Sequence, residues 1–415
     1  MELVTELCRK AAGVAPEVAR LPGGIRDAAL HEMADALLDA AKPLAETNAE
    51  DLDRARESGT STTLIDRLTL TDKRIRAMAD GLRAVAAQPD PVGAVLTGWK
   101  RPNGLLIEKV AAPLGVVAVI YEARPNVTSD VAGLCLKSGN ACVLRGSRIA
   151  LSSNTAIVDV LRRAGTQAGV PTDAVQLVRD VERASALELM RATGLVDLLV
   201  PRGGAQLIRT IEENATVPYI IDGDGNCHVY VDSSADLDMA TEIIINAKVQ
   251  RPSVCNAAET LLVHAEVADK WLPVALDALA ARGVTVHGDE RTRALWPDAR
   301  AAGEEDWATE YLDLILAVRV VDSLDDAIGH INRFGTSNAE AIITGDVEAA
   351  RRFSTEVDSG TVFVNASTRF SDGGEFGYGA EIGISTQKLH ARGPMGLQAL
   401  TSAKYVVWGE GQVRT

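Results

Sequence analysis

Apolar residues recur at helical spacing through the first part of the chain. The stretch Ile25–Ala41 is rich in Ala and Leu, and Thr71–Ala87 repeats its pattern of apolar positions three and four residues apart. We expect Pro43 to end the first of these helices, because proline disfavours helical backbone in the residue before it. Residues 1–95 are therefore predicted to be helical, with no strand among them.

A different pattern begins at Gly115, where short β-branched runs alternate with helical segments of about 10–16 residues. Such alternation is typical of a parallel sheet covered by helices on both faces. Helices are predicted over Ser152–Ala168 and Ala205–Asn214. The predicted strands of this unit are Val116–Tyr121, Ala141–Gly146, Ala174–Val178, Asp197–Pro201 and Tyr219–Asp222.

The same alternation starts again at His228 and predicts a second α/β unit. Its first helix, Ala235–Gln250, opens with Ser233 and Asp236 in a capping arrangement, and Val267–Ala281 is a second helix. The predicted strands are His228–Asp232, Thr260–His264, Val284–His287, Leu314–Val321, Ala339–Thr344 and Gly360–Asn365.

Two predicted strand segments lie outside these units. Leu96–Val110 reads as a hairpin, because its apex carries the pair Asn103-Gly104, a strong signal for a tight turn. Near the end of the chain, Ala403–Gly409 reads as a lone strand. Both segments leave sheet edges that need cover. They either pair across subunits or close a sheet within one chain, and the sequence leaves both open.

Composition and charge narrow the classes of protein. The 415 residues suffice for two or three domains, and 47% hydrophobic with 24% charged residues is ordinary for a folded protein. The net charge of −15 argues against a nucleic-acid partner, because neutralising phosphates needs a basic face. The amino terminus lacks a secretory apolar run, and no apolar stretch approaches the ~18 residues of a membrane helix. We therefore expect a cytoplasmic protein without a membrane partner.

The five cysteines are too few and too scattered for a disulfide framework, and none forms a C-x-x-C pair, so no metal site is expected. Cys135 and Cys142 lie in apolar segments and are predicted to be packing residues, whereas Cys227 stays ambiguous. Cys255 differs, because it lies in a short polar loop between a helix and a strand. Backbone N–H groups in such a loop can stabilise a thiolate. Cys255 is therefore a candidate nucleophile, with a structural cysteine as the alternative.

Two predicted strand ends are candidate cofactor sites. The segment Pro201–Gly204 leads from a strand into a helix, whose first N–H groups could hold a pyrophosphate; a plain strand–helix turn is the alternative. Strand Ala141–Gly146 ends in Arg145 and continues through Ser147 to Arg148. Arginine at such a strand end suits the 2′-phosphate of NADP, and an exposed charge pair is the alternative.

Four segments carry a resemblance to a known family. They are Gly225–Asp232 (GNCHVYVD), Gln250–Ala257 (QRPSVCNA), Phe334–Glu340 (FGTSNAE) and Glu381–Pro394 (EIGISTQKLHARGP), of which the last three are highly specific. With them, essentially the whole chain resembles the γ-glutamyl phosphate reductases, also called glutamate-5-semialdehyde dehydrogenases, of the aldehyde dehydrogenase superfamily.

The resemblance implies an aldehyde dehydrogenase-like α/β fold, with two Rossmann-like parallel-sheet domains and a small β element for oligomerisation. Residues 1–95 and 115–227 would form the NADP-binding domain, and residues 228–385 the catalytic domain with Cys255. Residues 96–114 and 398–415 would form the oligomerisation hairpin and the C-terminal strand. A homo-oligomer is therefore expected.

The resemblance also implies roles for single residues. Cys255 matches the nucleophile, and Asn126 lies in the region that supplies the oxyanion-binding amide. Asp222 is a departure, because aldehyde-oxidising members carry a glutamate there that activates water; hydrolysis of a thioester is therefore expected to be slow. The residues matched to cofactor binding are Arg145, Ser147, Pro201, Gly203, Gly204 and Glu310.

The implied function is NADPH-dependent reduction of L-glutamyl 5-phosphate to L-glutamate 5-semialdehyde through a cysteine thioester, in proline biosynthesis. Arg251 is the candidate for the phosphate and Arg369 for the α-carboxylate, and a surface ion pair is the alternative for each. Asn365, in the same segment as Arg369, is a further substrate-binding candidate. Glutamate 5-kinase, which makes the acyl phosphate, is the candidate partner. The alternatives are an aldehyde-oxidising or acyl-CoA-reducing relative, an inactive oligomeric scaffold and, disfavoured by its spacing, a cysteine–histidine hydrolase using His228 or His264.

Overall fold

A computed structural model describes residues 3–221 and 223–414, without the side chains of Thr63 and Ala205. The chain divides into two compact units. Unit 1 comprises Met1–Ile221, Gly377–Gly383 and Met395–Thr415. Unit 2 comprises Asp222–Phe376 and Ile384–Pro394. The segments predicted as an oligomerisation element thus fall within unit 1.

Helices make up the amino-terminal part of unit 1, as the apolar periodicity predicts, and further helices alternate with its strands from residue 125 onward. They are α1 (Val4–Val18), α2 (Gly23–Asp39), α3 (Ala41–Glu57), α4 (Thr62–Leu68), α5 (Asp72–Ala86), α6 (Pro125–Lys137), α7 (Leu151–Gln167), α8 (Arg183–Met190) and α9 (Ala205–Asn214). The role predicted for Pro43 is wrong. It lies in the first turn of α3, where its missing N–H removes no hydrogen bond within the helix. None of the helices in the described residues has the length and apolar character to cross a membrane.

A parallel sheet lies at the centre of unit 1. The strands up to this point of the chain are β1 (Val95–Lys100), β2 (Leu106–Pro113), β3 (Val116–Tyr121), β4 (Ala141–Arg145), β5 (Val175–Leu177) and β6 (Leu198–Arg202). Four of them pair in parallel in the order β5-β4-β3-β6. The predicted strand Tyr219–Asp222 is wrong in its described part, because Tyr219 makes only an isolated bridge to Leu199. Asp222 itself lies outside the described residues.

Unit 2 is built on a second parallel sheet, with the order β10-β9-β11-β8-β7-β12-β13. Its strands are β7 (Cys227–Val231), β8 (Ala258–His264), β9 (Thr285–Gly288), β10 (Arg300–Ala301), β11 (Ile315–Val321), β12 (Ala339–Ile343) and β13 (Thr361–Val364). A separate two-stranded pair follows, β14 (Gly383–Ser385) with β15 (Gly393–Met395). All the strands predicted for this unit are found, and no end is shifted by more than two residues.

Helices cover the sheet of unit 2. They are α10 (Leu237–Val249), α11 (Ala265–Ala280), α12 (Glu290–Leu295), α13 (Leu324–Phe334) and α14 (Val347–Glu356). The capping arrangement predicted from Ser233 is wrong: Asp236 itself caps α10, and its carboxylate accepts the N–H groups of Asp238 and Met239. Trp271 and Leu276 of α11 pack with the sheet in a buried apolar core.

The hairpin and the last strand of the chain form a third sheet, which belongs to unit 1. Strand β16 (Thr401–Trp408) pairs antiparallel with β2, and the order is β1-β2-β16. The terminal strand therefore closes a sheet within its own chain. Trp99 of β1 and Tyr405 of β16 pack edge to face, with ring centroids 6.3 Å apart. Both side chains nevertheless remain exposed.

Candidate active site

Cys255 lies in a turn at the amino-terminal edge of the unit 2 sheet, just before β8. Side-chain bonds anchor the next residue, Asn256. Its amide donates to the carbonyl oxygen of Ser371 over 2.9 Å, and its own carbonyl accepts the Thr368 hydroxyl over 2.8 Å. Asn256 is buried, whereas Cys255 is half-buried. The turn is thus anchored through buried Asn256, while the Cys255 side chain keeps access to solvent.

The segment before β7 packs directly against this turn. The thiol of buried Cys227 donates to the carbonyl oxygen of Cys255 over 3.1 Å. A Cβ atom on Gly225 would lie 2.0 Å from that same oxygen and 2.4 Å from the Cys255 Cα, so no side chain fits there. The N–H of Gly225 donates to Glu310 Oε1 over 2.8 Å. Gly225 therefore brings the cysteine turn and Glu310 together, and burial raises the pKa of that carboxyl.

A buried ion pair joins the elements on either side of the cysteine turn. Lys248 of α10 and Glu259 of β8 are both inaccessible, with Nζ and Oε2 2.5 Å apart. Burial raises the pKa of Glu259 to about 7 and lowers that of Lys248. The other oxygen of Glu259 accepts the N–H of Leu312, whose φ of 54° is unusual for leucine. The pair thus also fixes the loop that carries Glu310.

Two guanidinium groups accompany Cys255. Arg369 donates its Nε–H to the Gln250 side chain over 2.9 Å. Burial lowers the pKa of Arg369, and the charge of nearby Arg251 lowers it further, while Asp372 and Cys255 act in the opposite direction. Arg369 is therefore close enough to both Arg251 and Cys255 to interact with each of them electrostatically. The arrangement favours a ligand that carries negative charge.

In unit 1, the carboxyl ends of β4, β3 and β6 lie side by side. The strand order reverses at β3, and parallel α/β sheets bind ligands at such a point. Glu122 follows β3, and its Oε1 accepts the N–H of Gly204 over 3.1 Å at the start of α9. A Cβ on Gly203 would lie 2.9 Å from the same oxygen. The turn Pro201–Gly204 is therefore a tight helix start with a carboxylate already beside it.

Arg145 and Ser147 lie at the end of β4. Arg145 donates through Nη2 to the carbonyl oxygens of Val181 and Glu182, over 2.8 and 3.2 Å. Arg148 forms an ion pair with the Glu182 side chain. Among the described residues, Arg145 Nε and Ser147 Oγ are buried and have no hydrogen-bond partner. Buried polar atoms are nearly always paired in proteins, so this strand end can accept a polar ligand.

Asn126 lies exposed in the first turn of α6, in unit 1. Its amide donates to Asp130 Oδ2 over 2.9 Å, one helical turn further on. Burial raises the pKa of Asp130 to about 6, whereas the charge of Arg202 works against that rise. Arg202 in turn lies 3.8 Å from Glu381. Asn126 and Cys255 belong to different units, and the oxyanion role of Asn126 stays a prediction.

Asn365 is placed away from Cys255. It follows the carboxyl end of β13, whereas Cys255 precedes the amino end of β8, and these are opposite edges of one parallel sheet. Its amide accepts the N–H of Thr344 over 2.9 Å and donates to the Thr344 carbonyl over 3.0 Å. The structure therefore gives Asn365 the role of joining β12 to β13 and does not bring it to the nucleophile. Its predicted role in substrate binding is not favoured by this placement.

The two histidines considered for a hydrolase are occupied elsewhere. His264 caps α11 by accepting the N–H of Glu266 over 3.2 Å. His228 is buried, with Nδ1 3.1 Å from Glu340 Oε2. Within the described part of the chain, no group of three or more His, Cys, Asp or Glu side chains is placed to hold a metal ion.

Sequence reasoning missed Glu122 and Gly225 and left Cys227 undecided. The position of Glu122 directly after a buried strand, where the strand order reverses, is a signal that could have identified it. Gly225 and Cys227 gave no such signal, because their contacts with Cys255 depend on how two neighbouring strands are paired.

Comparison with known sequences places the chain among related proteins. The profile of the aldehyde dehydrogenase family matches residues 1–294 and 307–406. The chain is 58% identical to the γ-glutamyl phosphate reductase of Moorella thermoacetica, over 96% of this chain and 97% of that protein. It is 57% identical to the γ-glutamyl phosphate reductase of Thermobifida fusca, over 99% of this chain and 98% of that protein.

Solved structures agree with these matches. The crystal structure of γ-glutamyl phosphate reductase from Thermotoga maritima superposes with a TM-score of 0.97 at 46% identity, covering 100% of both chains. An acetylating aldehyde dehydrogenase from Geobacillus thermoglucosidasius gives a TM-score of 0.71 at 18% identity, covering 99% of this chain and 97% of that one. The second likeness concerns the fold alone. Together they confirm the predicted aldehyde dehydrogenase-like α/β fold.

Proposed function

The chain belongs to the γ-glutamyl phosphate reductases, within the aldehyde dehydrogenase family, and from that premise we propose that it reduces L-glutamyl 5-phosphate to L-glutamate 5-semialdehyde and phosphate. The activity is that of a glutamate-5-semialdehyde dehydrogenase working in the direction of proline biosynthesis. Cys255 is the proposed nucleophile, and NADPH is the proposed reductant.

The observation that supports this function most directly is the pair of arginines beside Cys255. The substrate carries an acyl phosphate at one end and an α-carboxylate at the other, and both are anionic. Arg251 and Arg369 interact electrostatically with each other, and Arg369 also with Cys255. Guanidinium groups bind phosphate and carboxylate through charge-assisted, often bidentate, hydrogen bonds. We assign Arg251 to the phosphate and Arg369 to the α-carboxylate.

The chemistry of the chain's own residues follows from the geometry of the turn. The Cys255 thiolate attacks the γ-acyl carbon; the S–C bond forms, and the C–O bond to phosphate breaks. Phosphate is a good leaving group, so the histidines are not required as acids. Backbone N–H groups of the turn and the Asn126 amide are the proposed donors to the oxyanion. The turn, held through Asn256, then carries the thioester until it is reduced.

The residues present fit a dinucleotide. The unpaired buried atoms of Arg145 and Ser147, among the described residues, suit a phosphorylated ribose. The start of α9 offers main-chain N–H groups to a pyrophosphate, and the Glu122 carboxylate that accepts the Gly204 N–H would have to move away to admit it. NADPH, when bound, supplies the two electrons that reduce the thioester. The residues proposed to hold it are Arg145, Ser147, Pro201, Gly203, Gly204 and Glu310.

Slow hydrolysis of the thioester is part of the proposal. Aldehyde-oxidising members of the family carry a glutamate at the position of Asp222, and the shorter aspartate is expected to activate water poorly. Asp222 lies outside the described residues, so this argument rests on the sequence. Retained thioester favours reduction over loss of the activated acyl group.

The reverse reaction tests the function. Purified protein is mixed with pyrroline-5-carboxylate (the cyclised semialdehyde), inorganic phosphate and NADP⁺, and NADPH is followed by its absorbance. We expect NADPH to appear only when phosphate is present, and faster with NADP⁺ than with NAD⁺. NADPH formed without phosphate would indicate an aldehyde-oxidising enzyme, and a requirement for coenzyme A in place of phosphate would indicate an acyl-CoA reductase. Either result would overturn the assignment.

Replacing Arg369 by methionine tests the substrate contacts. A hydrogen bond to a charged group contributes about 1.5–3 kcal/mol, so the variant is expected to raise the KM for pyrroline-5-carboxylate by about 10–100-fold. The KM for NADP⁺ should stay within about two-fold, because Arg369 is not assigned to the cofactor. Arg352→Met, in an exposed ion pair of α14, is the control and should leave both constants unchanged. An unaltered KM for pyrroline-5-carboxylate in Arg369→Met would contradict the assignment.

We also propose that the chain forms a homo-oligomer through its three-stranded sheet. The outer strands β1 and β16 present a cluster of large exposed apolar side chains, which monomeric proteins seldom do. The members of this cluster are Val95, Leu96, Trp99, Tyr405, Val407 and Trp408.

Light scattering tests the oligomer. The double variant Tyr405→Lys, Val407→Lys is expected to have a smaller molar mass than the unaltered protein, because the charges would be buried in the interface. Val347→Lys is the control, since Val347 is 70% exposed but belongs to α14 of unit 2 and not to the three-stranded sheet. An unaltered protein that is monomeric at all concentrations would refute the proposal.

We also propose that glutamate 5-kinase supplies the substrate and that the protein acts in the cytoplasm.

A further inference from the structure

We propose that Cys255 is a site of reversible oxidation by hydroperoxides, with Cys227 as the thiol that closes a disulfide onto it. The two residues are the cysteines of unit 2, and the other three lie in unit 1. The Cys227 thiol is in direct contact with the Cys255 main chain, over 3.1 Å. The proposed function uses one of these thiols and gives no role to the other.

The two thiols differ in the properties that decide which one reacts first. Cys255 is half-buried and lies near Arg369, whose cation favours the thiolate form. Cys227 is fully buried, and burial, followed by the charge of Glu340, raises its pKa well above the ordinary range. A hydroperoxide therefore meets the Cys255 sulfur, while Cys227 stays a protonated thiol behind it.

The chemistry has two steps. The Cys255 thiolate attacks the O–O bond of the hydroperoxide; an S–O bond forms, the O–O bond breaks, and the other oxygen leaves as an alcohol or water after protonation. The sulfur has then lost two electrons and is a sulfenic acid. The Cys227 sulfur attacks it, the S–S bond forms, the S–O bond breaks, and the hydroxyl leaves as water with the Cys227 proton.

Forming the disulfide has two structural consequences: one hydrogen bond of Cys227 is lost, and the Cys255 sulfur is protected from further oxidation. Cys227 gives up its hydrogen bond to the Cys255 carbonyl, and the nucleophile is held in a disulfide instead of advancing to the irreversible sulfinic acid. A dithiol then regenerates both thiols. The predicted effect is an enzyme that peroxide inactivates and a reductant restores.

A second pair of neighbouring cysteines provides an internal control. Cys135 and Cys142 are close enough for a thiol–thiol hydrogen bond, and burial contributes to raising the pKa of Cys135 well above the ordinary range. They are only 1% and 0% exposed. If proximity alone decided the outcome, peroxide would oxidise Cys135 and Cys142 as readily as Cys227 and Cys255. The proposal requires that the first thiol to react is exposed, so it predicts that Cys135 and Cys142 stay reduced.

Mass spectrometry of the full-length protein tests the proposal. Protein treated with a small excess of hydrogen peroxide is denatured and alkylated with N-ethylmaleimide, and its intact mass and peptides are measured. We expect two fewer alkylated thiols than the five of the untreated chain, a peptide joining Cys227 to Cys255, and full recovery after dithiothreitol. Five alkylated thiols after treatment, or a disulfide joining Cys135 to Cys142, would overturn it.

Two variants sharpen the result. In Cys227→Ser, peroxide is expected to convert Cys255 to sulfinic acid, which dithiothreitol does not reverse; Cys142→Ser should behave as the unaltered protein does. Recovery of Cys227→Ser to the same extent as the unaltered protein would refute the role of Cys227. Should that variant fail to fold, the cross-linked peptide in the unaltered protein decides the matter. The proposal rests on the proposed function only through the Cys255 thiolate, and the mass measurement does not require activity. An inactive protein that forms the disulfide would contradict the proposed function alone. An active protein that does not form the disulfide would contradict this inference alone.

Discussion

Replacing Cys255 by alanine is expected to lower the rate of the reverse reaction by about 10⁴-fold or more, the size of effect seen when a covalent nucleophile is removed. Without the sulfur no thioester forms, and no other described cysteine can take its place. Cys227 contacts the Cys255 main chain, but it is fully buried and burial raises its pKa. The measurement is NADPH formation from pyrroline-5-carboxylate, phosphate and NADP⁺.

The control for this experiment is Cys8→Ala. Cys8 is buried in α1 of unit 1, and burial raises its pKa to about 12, so its thiol is chemically inert. We expect its removal to leave the rate within about two-fold of the unaltered protein. Activity of Cys255→Ala within ten-fold of the unaltered protein would show that the turn supports the reaction without a covalent intermediate, and the proposed mechanism would then be wrong.

Replacing Gly225 by alanine is expected to lower kcat by about 100-fold or more, although Gly225 is not itself reactive. The new Cβ would lie 2.0 Å from the Cys255 carbonyl oxygen, so the turn has to move. Misplacing a reacting atom by about 1 Å can reduce the rate by this factor. The N–H bond to Glu310 is disturbed by the same movement. Circular dichroism and the melting temperature establish whether the fold is retained while kcat falls.

A neighbouring glycine provides a matched control. A Cβ on Gly223 would meet the Thr386 hydroxyl at 2.9 Å, a side-chain atom that can move at the cost of the bond it accepts from the Gly223 N–H. The three atoms nearest to that Cβ all belong to Thr386 and none to Cys255. Gly223→Ala is therefore expected to keep kcat within about three-fold. Alkylation of Cys255 by iodoacetamide gives a second readout, and its rate should change in the Gly225 variant only. Equal rates and equal kcat in both variants would disprove the positioning role of Gly225.

The alternation of strands and helices predicted most of the fold, because parallel sheets need buried apolar strands joined by amphipathic helices. It failed where a tertiary contact decides the outcome. Tyr219 lies in a β-branched run but reaches only Leu199 of β6, so no strand forms there. Pro43 was expected to end a helix, yet α2 ends earlier and the proline falls in a first turn, where it is tolerated.

The candidate site divides in the same way. Cys255 was predicted from its local sequence, since a polar loop between helix and strand is visible without the fold. The side chain of Asn365 turned out to bond Thr344 of the neighbouring strand, and Arg145 to bond the carbonyls of residues 181 and 182. Those bonds join segments that are distant in sequence, so they cannot be predicted from residue type and spacing.

The pairing of the last strand with the hairpin has a consequence for the order of synthesis. Trp408 bonds Glu108, which precedes it by 300 residues, and unit 1 also incorporates Gly377–Gly383. A ribosome that is still translating unit 2 therefore carries a hairpin whose β2 edge is unpaired, and such edges invite aggregation. The sheet is completed only after Thr401–Trp408 has been synthesised. A chain cut short before Thr401 would keep Cys255 but leave the β2 edge unpaired, and it is therefore expected to aggregate more readily than the full-length chain.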